Sequence, residues 1–343
     1  MKQKSRAWNL MLLLAATAVA LMACEVVLRL IGFEYTLYPT RVQFGSPDPV
    51  MMEERYAADR DLLWVQKDYG DKVARWQESH PSVAFMGCSC TEFADYDRHL
   101  HQLTANELPG GRLHFVNLGV VGWSSYNGLR QLERDVLPMK PTVVTIMFGW
   151  NDHWVSFGIE DKAIGELNLK HSLMAVTLSR SRLVQLFNKF YVQVVIFKED
   201  ERRPERVSLP DFKANLEGMV RLAREGGAVP VLITAPSGHT AGQEPEYLEE
   251  RWLNELSELV PLHRRYAEAV REVAREQGAV LVDLAAEFDK LPQTMVKQQY
   301  FVKDGIHLNT FGNLAAAKII LGVFREHGLM KLIAENERER FAE

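Results

Sequence analysis

Short apolar runs of strand length alternate with longer stretches of helical period through most of the chain beyond Pro81. Val83 to Gly87, Leu113 to Leu118, Val143 to Phe148, Pro230 to Thr234 and Ala279 to Leu284 are runs of five or six residues that read as buried strands. Helical stretches fall between and after them, through Asp97 to Glu107, about Ser125 to Leu137, then Leu209 to Gly226, Leu262 to Gln277 and Thr310 to Glu326. This alternation predicts an α/β fold, a parallel sheet covered by helices on both faces. Reactive side chains are then expected beyond the C-terminal ends of the strands.

The N-terminus has a different pattern. Ala7 to Cys24 is an uncharged, mostly apolar run of 18 residues preceded by Lys2, Lys4 and Arg6. As a helix it is about 27 Å long, just enough to cross a bilayer core, and longer if Val26 to Phe33 extend it. Residues 1–33 are therefore expected to be a retained transmembrane anchor in a bacterial inner membrane. The charges on its N-terminal side place the rest of the chain in the periplasm, outside the cytoplasm. A cleaved signal peptide is the alternative. One form of it is a lipoprotein, because Leu21-Met22-Ala23-Cys24 resembles a lipoprotein cleavage box, which Met22 fits poorly. Against cleavage, apolar character resumes after Cys24 with Val26, Val27, Leu28, Leu30 and Ile31.

Residues 34–80, rich in Pro, Tyr, Asp and Arg with little periodicity, predict a membrane-proximal linker that touches the following domain through Trp64 and Trp76. The domain proper is expected over 81–330 and a tail over 331–343. Within the domain, 153–207 is too long for an ordinary connection. Its stretch Leu173 to Phe197 fits an amphipathic helix and Lys198 to Arg206 a solvated charge run, with a lid or membrane-surface element as the other reading. Trp150, His153 and Trp154 are candidates for a substrate cleft or for plain packing.

The composition excludes several function classes. At 343 residues, 47% hydrophobic and 25% charged, the chain suits one large domain plus an appendage. A net charge of −5 without a basic patch gives no reason to expect a nucleic-acid partner. Three cysteines, one of them in the apolar N-terminal run, supply no disulfide framework. The ten histidines have no metal-ligand spacing, so neither a metal nor a cofactor is expected.

Four segments carry candidate chemistry. In Gly87-Cys88-Ser89-Cys90-Thr91-Glu92 a strand is stopped by glycine and small residues follow, which reads as strand, tight turn and helix start. A serine there is exposed, with its own N–H among the unpaired donors of the helix; it could equally be a helix cap. Phe115 to Ser125 runs from a strand into a loop bearing Gly119 and Gly122, and Gly149-Trp150-Asn151-Asp152 ends another strand. In Asp304-Gly305-Ile306-His307 a carboxylate stands three residues before a histidine, which it could orient as a base for a hydroxyl nucleophile.

In this order, over roughly Pro81 to Leu329, the four segments resemble the blocks of the SGNH (GDSL-type) serine hydrolase family. The resemblance implies a three-layer α/β/α sandwich of flavodoxin-like type. It makes Ser89 the nucleophile, His307 the base and Asp304 its orienting carboxylate. It makes the Ser89 and Gly122 N–H groups and the Asn151 amide the oxyanion donors. Gly122 is preferred to Gly119 because, in the N-x-x-x-x-G pattern that Asn117 opens, the later glycine is the donor. Cys88 departs from the family pattern, and with Cys90 it is read as a small filler of tight space; a thiol nucleophile is the minor alternative. The implied activity is acyl transfer from an ester through an acyl-enzyme, with acylated carbohydrate of the envelope or a small ester as substrate. An O-acetyltransferase with the same residues and a non-catalytic carbohydrate-binding module are the competing readings.

Overall fold

The computed structural model describes residues 2–33, 55–59, 61–105, 113–156, 160–163, 165, 181–191, 202–248, 252–291 and 299–342. Helix α1 (Lys2–Leu30) carries an apolar stretch, Trp8–Leu30, with none of it buried against protein. A hairpin follows, β1 (Tyr56–Asp59) antiparallel to β2 (Leu63–Gln66), and then α2 (Tyr69–Ser79). The sheet domain runs β3 (Val83–Gly87), α3 (Ser89–Glu92), α4 (Tyr96–Thr104), β4 (Phe115–Asn117), α5 (Ser125–Gln131) and β5 (Val143–Met147). Beyond the insertion, which contains α6 (Arg182–Tyr191), come α7 (Leu209–Glu225), β6 (Val229–Ile233), α8 (Leu259–Gln277), β7 (Val280–Val282) and α9 (Leu284–Asp289). Helices α10 (Thr310–Glu326) and α11 (Leu329–Ala342) close the chain.

The five strands β4-β3-β5-β6-β7 pair in that order, all parallel, with Val83 opposite both Phe115 and Val143, and Val143 opposite Val229. Taken along the chain this is the order 2-1-3-4-5, a doubly wound flavodoxin-like arrangement: the alternating runs predict the parallel sheet, and the resemblance implies the flavodoxin-like type. Helices α5, α7 and α8 pack on one another over one face, and α4 and α10 pair over the other. Every residue of β3 and β5 is buried, which explains why their sequences are apolar but for Thr145. The helices bury stripes: Phe212, Leu216, Met219, Val220 and Ala223 on α7, and Ala316, Ala317, Ile320, Leu321 and Phe324 on α10. Burying one such large side chain stabilises the fold by roughly 1.5–3 kcal/mol.

Two stretches expected to be irregular are ordered parts of the molecule. Between 55 and 80 the hairpin and α2 bury Leu62, Leu63, Trp64, Tyr69 and Val73 in the same core as the sheet, and Trp76 packs against it. Their strands are four residues each, too short for periodicity to register. The expected tail is helix α11, which buries Ile333 and is stitched to the N-terminal side of the sheet. Ser82 Oγ donates to Glu337 (3.0 Å), Asn336 Nδ2 to Thr142 Oγ1 (3.1 Å) and Arg340 to the His80 carbonyl (2.8 Å).

Candidate active site

The switch in strand order lies between β3 and β5, and the expected residues gather beyond the C-terminal ends of these strands and of β4. Ser89 is the first residue of α3, two beyond the end of β3. The chain turns this sharply because Gly87 has no side chain. A Cβ there would collide with the Thr91 side chain and the Met147 carbonyl. Cys88 is extended and buried. Ser89 Oγ lies 2.8 Å from His307 Nε2.

His307 stands on a loop that organises itself. Phe301 and Leu308 form an antiparallel bridge, Val302 N–H donates to the His307 carbonyl (2.8 Å) and Gly305 N–H to the Val302 carbonyl (3.0 Å). Asp304 Oδ1 accepts the Ile306 and His307 N–H groups (2.8 and 3.0 Å), leaving Oδ2 at 2.6 Å from His307 Nδ1. Burial works to raise the Asp304 pKa, but the imidazole and the two N–H donors outweigh it and hold the carboxyl below its usual value. The ionised carboxylate only accepts, so the proton sits on Nδ1 and Nε2 faces the Ser89 hydroxyl. Asn309 then caps α10, its Oδ1 accepting from Phe311 and Gly312 N–H (2.9 and 3.1 Å).

The loop after β4 is tied peptide by peptide. Gly119 N–H donates to Asn117 Oδ1 (3.0 Å), Val120 N–H to the Gly87 carbonyl (3.2 Å) and Val121 N–H to Glu92 Oε2 (2.5 Å). Trp123 N–H donates to the Val120 carbonyl (3.2 Å) and Ser124 N–H to Asn127 Oδ1 (2.9 Å). Among the described residues, the Gly122 N–H alone in 119–124 has no acceptor, and the Ser89 N–H has none either. Gly122 has φ +77°, which turns its peptide out of line with its neighbours and favours glycine. The Asn151 amide gives one N–H to the Trp123 carbonyl (2.9 Å) and keeps a second N–H.

What holds this loop was largely invisible in the sequence. Trp64 Nε1 donates to the Val121 carbonyl and Trp123 Nε1 to the Trp64 carbonyl, both at 2.9 Å. Arg206, 1% exposed, donates to the Gly122 carbonyl (2.8 Å) while two of its nitrogens grip Asp161 (3.1 and 2.7 Å); Asp161 also accepts from Ser124 Oγ (2.6 Å). The expectation of a solvated charge run is thus corrected at its last residue, Arg206, while Arg202 is exposed and 198–201 lie outside the described residues. Composition marks charge, and only a distant carboxylate and carbonyl make this one a buried clamp. Asp152 is fully buried and accepts from Ser125 and Gly149 N–H (2.8 and 2.9 Å), joining the loops after β4 and β5. Burial pushes its pKa up to about 6 despite those donors.

Trp150, His153 and Trp154 belong to packing rather than to a cleft. All three are buried, Trp150 stacks on His263 with ring centres 3.9 Å apart, and His153 Nε2 lies 3.1 Å from His263 Nδ1. Burial pushes both imidazoles down, His263 to about 4, so the pair is neutral. The exposed aromatics near the relay are others: the Phe93 ring is 5.8 Å from that of His307, and the exposed Tyr247 directs its hydroxyl at the Asp304 carbonyl (3.4 Å). Each follows a site residue in space but has no sequence signal beyond being aromatic. Cys90 points its thiol at the Ile306 carbonyl (3.8 Å); the Cys88 thiol beside it and burial both push its pKa up. Of the expected insertion elements, α6 is observed, while the rest of 166–180 and 192–201 lies outside the described residues.

Comparison with known proteins gives three kinds of likeness. The sequence model of the GDSL-like Lipase/Acylhydrolase family matches residues 81–315. The isoamyl acetate-hydrolyzing esterase 1 homolog of Bos taurus is 35% identical over 121 residues, which cover 34% of this chain and 45% of that protein. The chain therefore matches less than half the length of this curated relative. Among solved structures, a lipase/acylhydrolase from Enterococcus faecalis is 16% identical, with a TM-score of 0.47 over 72% of this chain and 96% of its own. An acetylxylan esterase from Geobacillus stearothermophilus is 17% identical, with a TM-score of 0.45 over 70% of this chain and 92% of its own.

Proposed function

The chain belongs to the GDSL-like lipase/acylhydrolase family, whose model covers most of it, and on that footing we propose that it is a serine esterase working through an acyl-enzyme. The observation that carries this reading is the continuous relay from Ser89 Oγ through His307 to Asp304, beside two N–H groups with no acceptor among the described residues. Ser89 Oγ attacks the ester carbonyl carbon as its proton passes to His307 Nε2. The carbonyl oxygen becomes an oxyanion, held by the N–H groups of Ser89 and Gly122 and the second N–H of Asn151. When the C–O bond to the alcohol breaks, His307 returns the proton to the leaving oxygen. Water, deprotonated by the same nitrogen, then attacks the acyl-enzyme and frees the acid and the serine.

The substrate class we propose is an O-acetyl group on envelope or exported polysaccharide. Exposed Phe93 and Tyr247 beside the relay offer flat apolar faces against which a sugar ring can stack. The location follows from α1, read as a retained anchor with the domain on the far side of the membrane from Lys2, Lys4 and Arg6. A mature protein whose intact mass begins at a diacylated Cys24 would overturn that location. The test of the activity is hydrolysis of a short-chain aryl acetate and labelling by a fluorophosphonate. Ser89→Ala is expected to abolish both, with a loss in rate on the order of a millionfold. Labelling that persisted in Ser89→Ala and disappeared in Cys88→Ser or Cys90→Ala would move the nucleophile to a thiol.

A further inference from the structure

Helix α6 stands apart from the sheet domain's chemistry and carries an unusual surface. Leu186, Phe187 and Phe190 are 39%, 64% and 61% exposed on a helix of ten residues. Its first turn is held by a residue of α1. Glu25 Oε1 accepts the Arg182 N–H (3.0 Å), and Oε2 accepts the Leu183 N–H (2.9 Å) and the Ser181 hydroxyl (2.8 Å). Glu25 thus satisfies donors that a helix N-terminus cannot satisfy itself, where the helix dipole favours a negative charge. Arg29, one turn on, pairs with the same carboxylate (2.8 Å). A second contact lies farther along both helices, the Lys189 ammonium being 5.7 Å from the centre of the Phe33 ring. The two contacts are seven residues apart on α6 and eight apart on the α1 side, so α6 runs beside the end of α1 in the same direction.

We propose that α6 is an interfacial helix running alongside the end of the anchor, docked on it through Glu25, with Leu186, Phe187 and Phe190 seated among lipid acyl chains. The inference rests on the reading of α1 as a retained anchor. Three observations select lipid as the occupant. Glu25 lies five residues before the end of α1, about 8 Å along its axis, so a helix starting at Glu25 begins at the depth of the last apolar turns. Those turns expose Val26, Val27, Leu30 and Ile31 at the same level, so the apolar side chains of α6 lie at the depth of the anchor's own. Arg182 and Lys189 lie together along the edge of the aromatic face nearest α1, and positive charge beside an apolar face suits anionic headgroups. The carboxylate itself is tolerable at that depth because its partners travel with it.

The test uses the full chain in vesicles of phosphatidylethanolamine and phosphatidylglycerol, with the photo-crosslinker p-benzoylphenylalanine placed singly at Phe187, Phe190, Val19 and Lys331, and the products identified by mass. Lipid adducts are expected at 187 and 190 as at 19, with none at 331. Glu25→Ala should lower the yield at 187 at least severalfold and leave that at 19 unchanged. Lipid adducts at 19 but none at 187 or 190 would overturn the inference and leave the anchor standing. No lipid adduct at 19 would overturn both. A crosslink between two copies through 187 would overturn lipid as the occupant, and an unchanged yield in Glu25→Ala would overturn the joint.

Discussion

The two loops that meet at Ser89 differ in where most of their bracing comes from. The loop 301–309 is braced mainly by its own atoms, with the Gly238 N–H on the Gly305 carbonyl (2.7 Å) as an outside tie: Asp304 fixes two N–H groups within three residues, and Asn309 both caps the next helix and returns to the Phe301 carbonyl (3.2 Å). The loop 119–124 is braced mainly from a distance, by Trp64, Glu92, Asn151 and Arg206, residues 28 to 84 positions away in sequence from those they hold. A locally braced loop can expose its working groups, and Asp304 and His307 are 30% and 24% exposed. A remotely braced loop places a backbone N–H, which no side chain of its own can aim. Orientation of that N–H is therefore delegated to its buried surroundings.

The largest effect should come from the local loop. Asp304→Asn keeps an acceptor for the Ile306 and His307 N–H groups but removes the charge that fixes the His307 tautomer and stabilises the imidazolium. A loss of about ten-thousandfold in kcat is expected, with unchanged circular dichroism and only a modest fall in the unfolding midpoint, since the ionised carboxylate also stabilises the fold. A variant near wild-type rate would remove Asp304 from the relay. In the remote loop, Asn151→Ala deletes both the proposed oxyanion donor and the tie to Trp123. It should cost about a hundred- to thousandfold in kcat with KM little changed, because the donor matters once negative charge has formed. An equal rise in KM would instead mark Asn151 as a ground-state binder.

On the proposed mechanism Arg206 is a positioning residue, acting through the Gly122 peptide. Arg206→Met alone leaves Asp161 buried and uncompensated, a cost of roughly 3–5 kcal/mol in stability, whereas Arg206→Met with Asp161→Leu removes both charges and can be close to neutral. The double variant is expected to unfold near the wild-type urea midpoint yet lose about tenfold in kcat, the rate equivalent of ~1.4 kcal/mol in the barrier. Wild-type kcat in the folded double variant would mean that the Gly122 peptide needs no clamp. Asp152, between the remote loop and β5, should show itself in stability more than in rate. With a folded pKa of about 6, it keeps a proton that the unfolded chain has already released near pH 4. Its contribution therefore falls as pH rises from about 4 to 6 and is level above that, by on the order of 1–3 kcal/mol. Asp152→Asn should flatten that slope in urea unfolding measured from pH 4 to 7, and an unaltered slope would assign it to another group.

The sequence by itself determined what depends on short-range order. Strands buried on both faces are predominantly apolar, so β3 and β5 are legible as runs; helices on a sheet must carry stripes, so α7 and α10 are legible as periods. The Asp304–His307 pair is legible because its geometry is set by a spacing of three residues, and Ser89 because a strand cut short by Gly87 leaves little choice of turn. Residues 56–79 and 329–342 were harder, since short strands and a mixed-polarity helix take their burial from surfaces elsewhere in the fold. Tertiary structure alone decided that Arg206 is a buried clamp and not a solvated charge, that Trp150 and His153 are packing, and that Phe93 and Tyr247 flank the relay. It alone decided, too, that Glu25 caps a helix more than 150 residues away. Charge and aromaticity are properties of a residue, whereas burial and partnership are properties of the pair of surfaces that folding brings together.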